Sequence, residues 1–425
     1  MPEKKHINRL NEYFSSPHHQ SANGELSAHA VCLDLGECKI RALAGFINEQ
    51  GKVEILGFAE TDSVGIQKGV VVNHRKTQDA LKTVINDLVL LSGLSTKEVW
   101  VTSAVTANCF NYRTSCLRQH TTSPVSKEDI QALWNTSPGI ELPPGEQVIL
   151  SSLYNISLNA EDKGSSEGAS NGNRLNGEFQ AVSCRISDME NISGCLDKAG
   201  LQIAGFIPSF TAVAASVLSE EEYRQGAVVL DWGHSSTRVI VCREGRVVYT
   251  ATVPFGGSHI TEDIKAGFQI STQEAEVVKI KVGSAYSPPV KSNEIATLSS
   301  KADACEIHLK TLSLIIQARI EEILDMVMLE IKNSGYDHRV ASGFILCGGG
   351  ALQKNIVQLV KAYTGMEVRI GYPVQRLSSG TSRQLRSPEY ATCIGMVIAA
   401  RGTANVRFFN KPSGIMAGRK IVRHE

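Results

Sequence analysis

Apolar positions fall into two kinds of run, and the runs recur in the same order twice along the chain. Short, nearly unbroken runs at 30–35, 38–47 and 52–60, with Gly51 at the second turn, predict three strands. Residues 76–92 follow with Ala80, Leu81, Val84, Ile85, Leu88 and Leu91 at helical spacing, and Trp100 to Ala104 predicts another strand. The second series places strands at 226–232, 237–243 and 246–254, with Gly245 at a turn, and a helical pattern over 259–282. The widest apolar stripe comes next: Leu312, Ile315, Ile316, Ile320, Ile323, Leu324, Val327, Met328 and Ile331 predict a long helix buried against a sheet. A strand at 343–347 then runs into Gly348-Gly349-Gly350, where a further helix is expected to begin.

Between the two series the pattern changes. Residues 107–186 read as a small inserted domain, within which the Gly-, Ser- and Asn-rich stretch 159–177 has no apolar anchor and is expected to be a mobile loop. Residues 187–219 return to helix, strand and helix. The first 28 residues are polar, and two readings are open: a disordered leader, or a short membrane-surface helix using Ile7, Leu10, Tyr13 and Phe14.

The two series are copies of one plan. Ala30-Val31-Cys32-Leu33-Asp34-Leu35-Gly36 aligns without a gap with Ala227-Val228-Val229-Leu230-Asp231-Trp232-Gly233, 197 residues later. A β-β-β-α order in both halves predicts an α/β protein of two similar lobes, each a mixed sheet with helices packed on it, sharing one cleft. Arg41 and Arg238 also match in position. They point either into that cleft or away from it on the other face of each sheet.

Composition narrows the classes. At 425 residues the chain exceeds one ordinary domain, and 42% apolar residues suffice for packed cores. With 43 basic and 43 acidic side chains there is no global attraction to nucleic acid, and none is expected as a partner. The ten cysteines lack C-x-x-C spacing, and several (Cys32, Cys242, Cys347) lie in strand runs, so they read as reduced, small hydrophobes. No apolar stretch approaches the ~20 residues that span a bilayer, and the N-terminus lacks an export-type apolar core, so a soluble or peripherally attached protein is expected.

The chemistry lies in the repeated turns. A tight turn after Asp-x-Gly brings backbone N–H groups close to a ligand, and such a concave set suits phosphate oxygens. Lys39 adds a positive charge beside the first turn, and Asp34 and Asp231 at strand ends are placed to hold water around Mg²⁺. Gly348, Gly349 and Gly350 let backbone lie flat against a planar ring or a ribose, or are a plain flexible connection. Glu276 and Lys279 share a helix face, where they grip neighbouring ribose hydroxyls or form a simple surface ion pair.

This order of Asp-x-Gly hairpin, second Asp-x-Gly hairpin, Glu-x-x-Lys helix and Gly-Gly-Gly strand end resembles the superfamily of ATP-binding proteins that holds actin, the heat-shock chaperone ATPases and the sugar kinases. Within it the chain is similar to the bacterial cell-division family FtsA. The likeness runs over about 29–402 and is carried by stretches such as Lys68-Gly69-Val70-Val71, Val125-Ser126-Lys127-Glu128-Asp129-Ile130, Pro254-Phe255-Gly256-Gly257, Ala318-Arg319-Ile320-Glu321-Glu322 and Pro388-Glu389-Tyr390-Ala391-Thr392-Cys393-Ile394-Gly395. The resemblance implies an actin-like two-lobed fold of duplicated ribonuclease-H-like domains with a small α+β insertion. It implies a first lobe at 29–106 and 187–222, the insertion at 107–186, and a second lobe at 223–402 with an outer subdomain near 260–335. Flanking these are a polar tail at 1–28 and a basic tail at 403–425. It further implies ATP held in the cleft, an actin-like polymer of the chain with itself, and tethering of FtsZ, with other division proteins, to the inner face of the cell membrane at the division site. The phosphates and Mg²⁺ fall to Asp34, Gly36, Lys39, Asp231, Gly233, Ser235 and Ser236, the ribose to Glu276 and Lys279, and the adenine to Gly348, Gly349 and Gly350.

Two departures from the family pattern bear on activity. The second turn carries His234 and Ser235 where the family has glycines, and Arg238 where it has a second acidic residue, so ATP binding with slow or absent hydrolysis is expected. The end of the chain is basic, but Pro412, Gly414 and Gly418 oppose a long amphipathic helix. Attraction to anionic lipid at about 1 kcal/mol per Lys or Arg would be weak for one copy and strengthened by many copies in a polymer. Two alternatives share the fold: a PilM-like adaptor of type IV pilus or secretion assembly, and a small-molecule kinase. The second would need a general base that 107–186 does not offer.

Overall fold

A computed structural model describes residues 29–94, 97–103, 107–118, 125–136, 141–158, 174–288, 290–291, 293–299, 304–337, 339–401 and 406–408. The expected tail at 1–28, the loop at 159–173 and the basic end at 409–425 lie outside the described residues.

The first lobe opens with β1 (Ala30–Leu35), β2 (Lys39–Ile47) and β3 (Val53–Asp62), then a two-strand ladder of β4 (Ile66–Gln67) and β5 (Val70–Val71). Helix α1 (His74–Ser92) starts on an Asn73 side-chain cap and stops at left-handed Gly93, and β6 (Glu98–Ser103) follows. The insertion comprises β7 (Ala107–Leu117), α2 (Lys127–Asn135), β8 (Glu146–Leu158) and β9 (Arg174–Arg185). Its α2 is set by a Ser126–Asp129 capping box and packs Leu133 and Trp134 on Phe179 and Leu175 in a small separate core. The chain then returns through α3 (Ile186–Lys198), β10 (Gln202–Phe206), α4 (Ser209–Val217) and α5 (Glu220–Gln225).

The second lobe repeats the plan with β11 (Ala227–Trp232), β12 (Thr237–Arg243), β13 (Arg246–Val253), α6 (Gly257–Phe268), α7 (Thr272–Lys281), β14 (Ile295–Ser299), β15 (Ala304–His308), α8 (Leu309–Asn333), β16 (Phe344–Cys347), α9 (Ile356–Thr364) and β17 (Val368–Ile370). The chain ends, among the described residues, with α10 (Ala391–Ala400) and β18 (Val406–Phe408). The five-stranded sheets have the orders β3-β2-β1-β6-β10 and β13-β12-β11-β16-β17. In each, the first three strands are antiparallel and the last two parallel, so the duplication read from the sequence is a duplication of topology.

The central strands explain the nearly unbroken apolar runs, because each is covered on both faces. Along β1, Val31, Leu33 and Leu35 enter the core beneath α1 and α3, while Ala30 and Cys32 face α4 and α10. Buried Cys32, Cys242 and Cys347 fill space here, and burial pushes their thiols up, so they stay protonated.

Several boundaries differ from the sequence reading. The pattern at 259–282 is two helices, because Gln269 turns left-handed and a Ser271–Glu274 capping box restarts the chain. Gly349–Leu352 is a 3₁₀ turn, and the following helix begins only at Ile356. Arg174–Gly177, expected as loop, already belongs to β9. Within the stretch expected as a basic tail, Val406–Phe408 pairs antiparallel with Leu150–Ser152 of β8. Helix α10, placed by the sequence in the second lobe, packs instead on the first lobe: Cys393, Ile394, Met396 and Val397 share a core with Cys32, Leu43 and Ala212. Its apolarity gave no clue to which sheet it would cover.

The α10–α4 contact tolerates no bulk. A Cβ on Gly395 would stand 1.8 Å from the Ala212 carbonyl oxygen, so the helix backbones touch directly. Gly395→Ala is expected to cost about 3 kcal/mol or more of stability, read as a lower urea midpoint; an unchanged midpoint would show that the contact yields freely.

Candidate functional site

The two Asp-x-Gly turns meet across a cleft of about 420 Å³ between the lobes. All twelve residues singled out for a nucleotide line it: Asp34, Gly36, Lys39, Asp231, Gly233, Ser235, Ser236, Glu276, Lys279, Gly348, Gly349 and Gly350. Strand register brings this about. Asp34, next to last in β1, lies opposite Arg41 and beside Thr102, and Asp231, next to last in β11, lies opposite Arg238 and beside Cys347. Directly opposed residues share a face, so both arginines line the cleft, and the alternative on the sheets' other face falls away.

Each arginine is committed. Arg238 Nη1 donates to Asp231 Oδ2 at 3.0 Å. Arg41 pairs with Glu60 and Glu389 at 3.1 Å each and lies over the Tyr390 ring, which ties the first sheet to the 388–390 turn. Asp34 is different. Burial raises its pKa above the ordinary value, Arg41 opposes that, and the charge of Asp231 adds to it. Cys393 donates its thiol to Asp34 Oδ2 at 3.7 Å.

The glycines are required by the protein itself. Gly348 has a φ of +77°, and a Cβ there would lie 2.6 Å from the Trp232 carbonyl oxygen and 2.8 Å from Asp231 Oδ1. A Cβ on Gly350 would lie 2.4 Å from the Trp232 ring, whereas one on Gly349 would meet nothing. Gly348 and Gly350 therefore seat the strand end against the second turn, and of the three Gly349 alone has open space before it.

Two cations expected to face a ligand are engaged elsewhere. Lys39 Nζ pairs with Asp62 at 2.7 Å at the exposed lip of the cleft. Lys279 is buried and spends its donors on Glu276 (2.6 Å), Thr261 (2.7 Å) and the Gly257 carbonyl (2.9 Å). It holds Glu276 in place, and the half-exposed Glu276 carboxylate is what that helix presents. The reading of this pair as a surface ion pair misses the burial of Lys279.

Sequence reasoning passed over Glu37, Glu60 and Glu389, which also line the cleft. Glu37 was visible as the residue after the first turn glycine, while Glu389 arrives only through the return of the chain to the first lobe. Shape and backbone suit a nucleoside phosphate: the volume lies in the usual range for a small-molecule site, and both turns are free of side-chain bulk at Gly36 and Gly233. Among the described residues no cluster of three metal-ligating side chains occurs, so a cation here would take most of its ligands from phosphate and water.

The raised Asp34 pKa has a direct consequence for stability. The folded state favours the protonated acid, so that contribution is present in acid and is lost as pH rises from the ordinary value of 3.8 through the raised folded value. Stability of the wild type relative to Asp34→Asn is therefore expected to fall as pH rises from acid toward neutral; denaturation at a series of pH values checks this, and a flat difference refutes it.

A family model described as cell division protein FtsA matches residues 228–395, and one described as type IV pilus assembly protein PilM matches 146–294. The cell division protein FtsA of Pseudomonas aeruginosa is 26% identical over 374 residues, 87% of this chain and 88% of that protein. That of Neisseria meningitidis is 27% identical over 372 residues, 87% of this chain and 89% of its own length. Among solved structures, a PilM-PilN type IV pilus biogenesis complex aligns with TM-score 0.55 at 16% identity, covering 87% of this chain and 98% of that one. MreB5 of Spiroplasma citri bound to ADP aligns with TM-score 0.51 at 14% identity, covering 87% and 95%. At such identities the structures establish the fold, and the sequence relatives show which proteins the chain resembles along most of its length. The chain has the actin-like fold and is similar over 87% of its length to cell division proteins FtsA.

Proposed function

We propose that this chain is an ATP-binding, actin-like division adaptor that polymerises with itself and tethers FtsZ filaments to the inner face of the cell membrane. The observation that carries the nucleotide part is the convergence of both Asp-x-Gly turns and the glycine strand end on one cavity. The MreB5 relative of the same fold was crystallised with ADP and with a triphosphate analogue, which supports this reading. The FtsA relatives support the division role.

In this reading the N–H groups of the turns at Gly36 and Gly233, with the hydroxyls of Ser235 and Ser236, receive the phosphates. Asp34 and Asp231 hold Mg²⁺ through water, Glu276 takes the ribose hydroxyls, and the adenine lies over Gly349. Bound Mg²⁺ supplies charge neutralisation of the phosphates. Arg238 bound to Asp231 ties up one carboxylate and supports slow or absent hydrolysis.

A second reading, a PilM-like adaptor, is favoured by the PilM match over 146–294 and the PilM-PilN alignment. A pulldown separates the two: retention of FtsZ or its C-terminal peptide supports the first, and retention of a pilus-assembly peptide with loss of FtsZ supports the second.

Gly349 gives a clean test of the cleft. Gly349→Val places bulk where a Cβ meets nothing, so folding should be unaffected while calorimetric ATP affinity falls at least about tenfold. Undiminished ATP binding would move the nucleotide elsewhere. For the membrane, the chain lacking 409–425 is expected to pellet less with anionic vesicles; unchanged pelleting would shift the anchor to the first 28 residues.

A further inference from the structure

Glu37 sits in the turn of the first hairpin, and its side chain reaches out of its own lobe. One carboxylate oxygen, Oε1, accepts the backbone N–H of Lys68 at 3.2 Å, and the other, Oε2, accepts the hydroxyl of Ser235 in the turn of the second lobe. The Lys68 N–H is a fixed partner. Lys68 (φ +48°) and Gly69 (φ +77°) form the two-residue turn between β4 and β5, and Ser103 Oγ holds the Gly69 carbonyl at 2.6 Å. The carboxylate thus bridges the two Asp-x-Gly turns.

Charge makes this position consequential. The partners of Glu37 are neutral donors. The four Lys and Arg side chains that line the cleft are each paired with another carboxylate: Lys39 with Asp62, Arg41 with Glu60, Arg238 with Asp231 and Lys279 with Glu276. Among the described residues lining the cleft, no unpaired Lys or Arg side chain offsets the Glu37 charge that an anion meets between the turns. It also competes with Glu37 for the Ser235 hydroxyl.

We propose that Glu37 latches the two lobes together and sets how many phosphates the cleft accepts. With the latch closed, the Glu37 carboxylate occupies the Ser235 hydroxyl between the two turns, where the phosphates beyond the first would lie in the nucleotide reading. A triphosphate seats only when the Glu37–Ser235 hydrogen bond opens and the freed hydroxyl turns to the phosphate. The ligand half of this proposal rests on the nucleotide reading above; the latch itself does not.

The latch is tested without ligand by amide hydrogen exchange on the full chain. In Ser235→Ala, exchange is expected to quicken in the other lobe, at residues 36–39 and 66–71, as well as in its own turn. An effect confined to the turn that carries the substitution overturns the latch. The phosphate preference is tested by calorimetry with ATP and AMP in Mg²⁺. Glu37→Gln is expected to raise ATP affinity about tenfold and leave AMP within about twofold. If both nucleotides bind and their ratio does not move, the selectivity assigned to Glu37 is wrong while the nucleotide reading survives. If neither binds to either protein, the nucleotide reading and the selectivity both fall, and hydrogen exchange alone decides the latch.

Discussion

Everything at the cleft depends on burying the central strand of each sheet on both faces. Leu33 and Leu35 on one side of β1, and Ala30 and Cys32 on the other, leave no freedom to shift the pairing. A slip of one residue would turn the whole set over and carry Asp34 away from the cleft. The same constraint acts on β11, where Val228, Leu230 and Trp232 enter the second lobe's core while Ala227 and Val229 enter that of the first. Register, fixed by hydrophobic burial, is therefore what delivers two aspartates and two arginines to one place.

Having delivered them, the fold neutralises most of them. Arg238 and Asp231 satisfy each other, Arg41 is shared between Glu60 and Glu389, and Lys279 is closed in by three acceptors. Such pairs hold geometry more than they add stability, because removing charges from water offsets much of their attraction. The cleft is rigidly framed and electrostatically quiet apart from Asp34 and Glu37. In the proposed reading, backbone N–H groups and hydroxyls are what such a cleft offers an anionic ligand.

The duplicated hairpins were legible because burial on both faces writes itself as unbroken apolar runs, and because two aligned copies reinforce each other. The meeting of Asp34 with Asp231 followed from that repeat. The direction of Arg41 and Arg238 did not, although it is a matter of cross-strand register. Glu276 was legible as a partner of Lys279, but Asp62 lies 23 residues from Lys39 and Gly257 lies 22 from Lys279, so only the folded chain brings these together. Helix α10 was misplaced because an all-apolar segment such as Ala391–Ala400 declares that it is buried without declaring where.

The return of α10 to the first lobe shapes how the protein can be made. Its side chains complete a core begun by β1, with some 360 residues of chain between them in sequence. While the polypeptide is still emerging from the ribosome, the face of the first sheet around Cys32 and Leu43 has only α4 to cover it until Ala391–Ala400 has been translated. The second lobe, whose sheet lies wholly within 227–370, has no such wait and can mature before the lobe that precedes it.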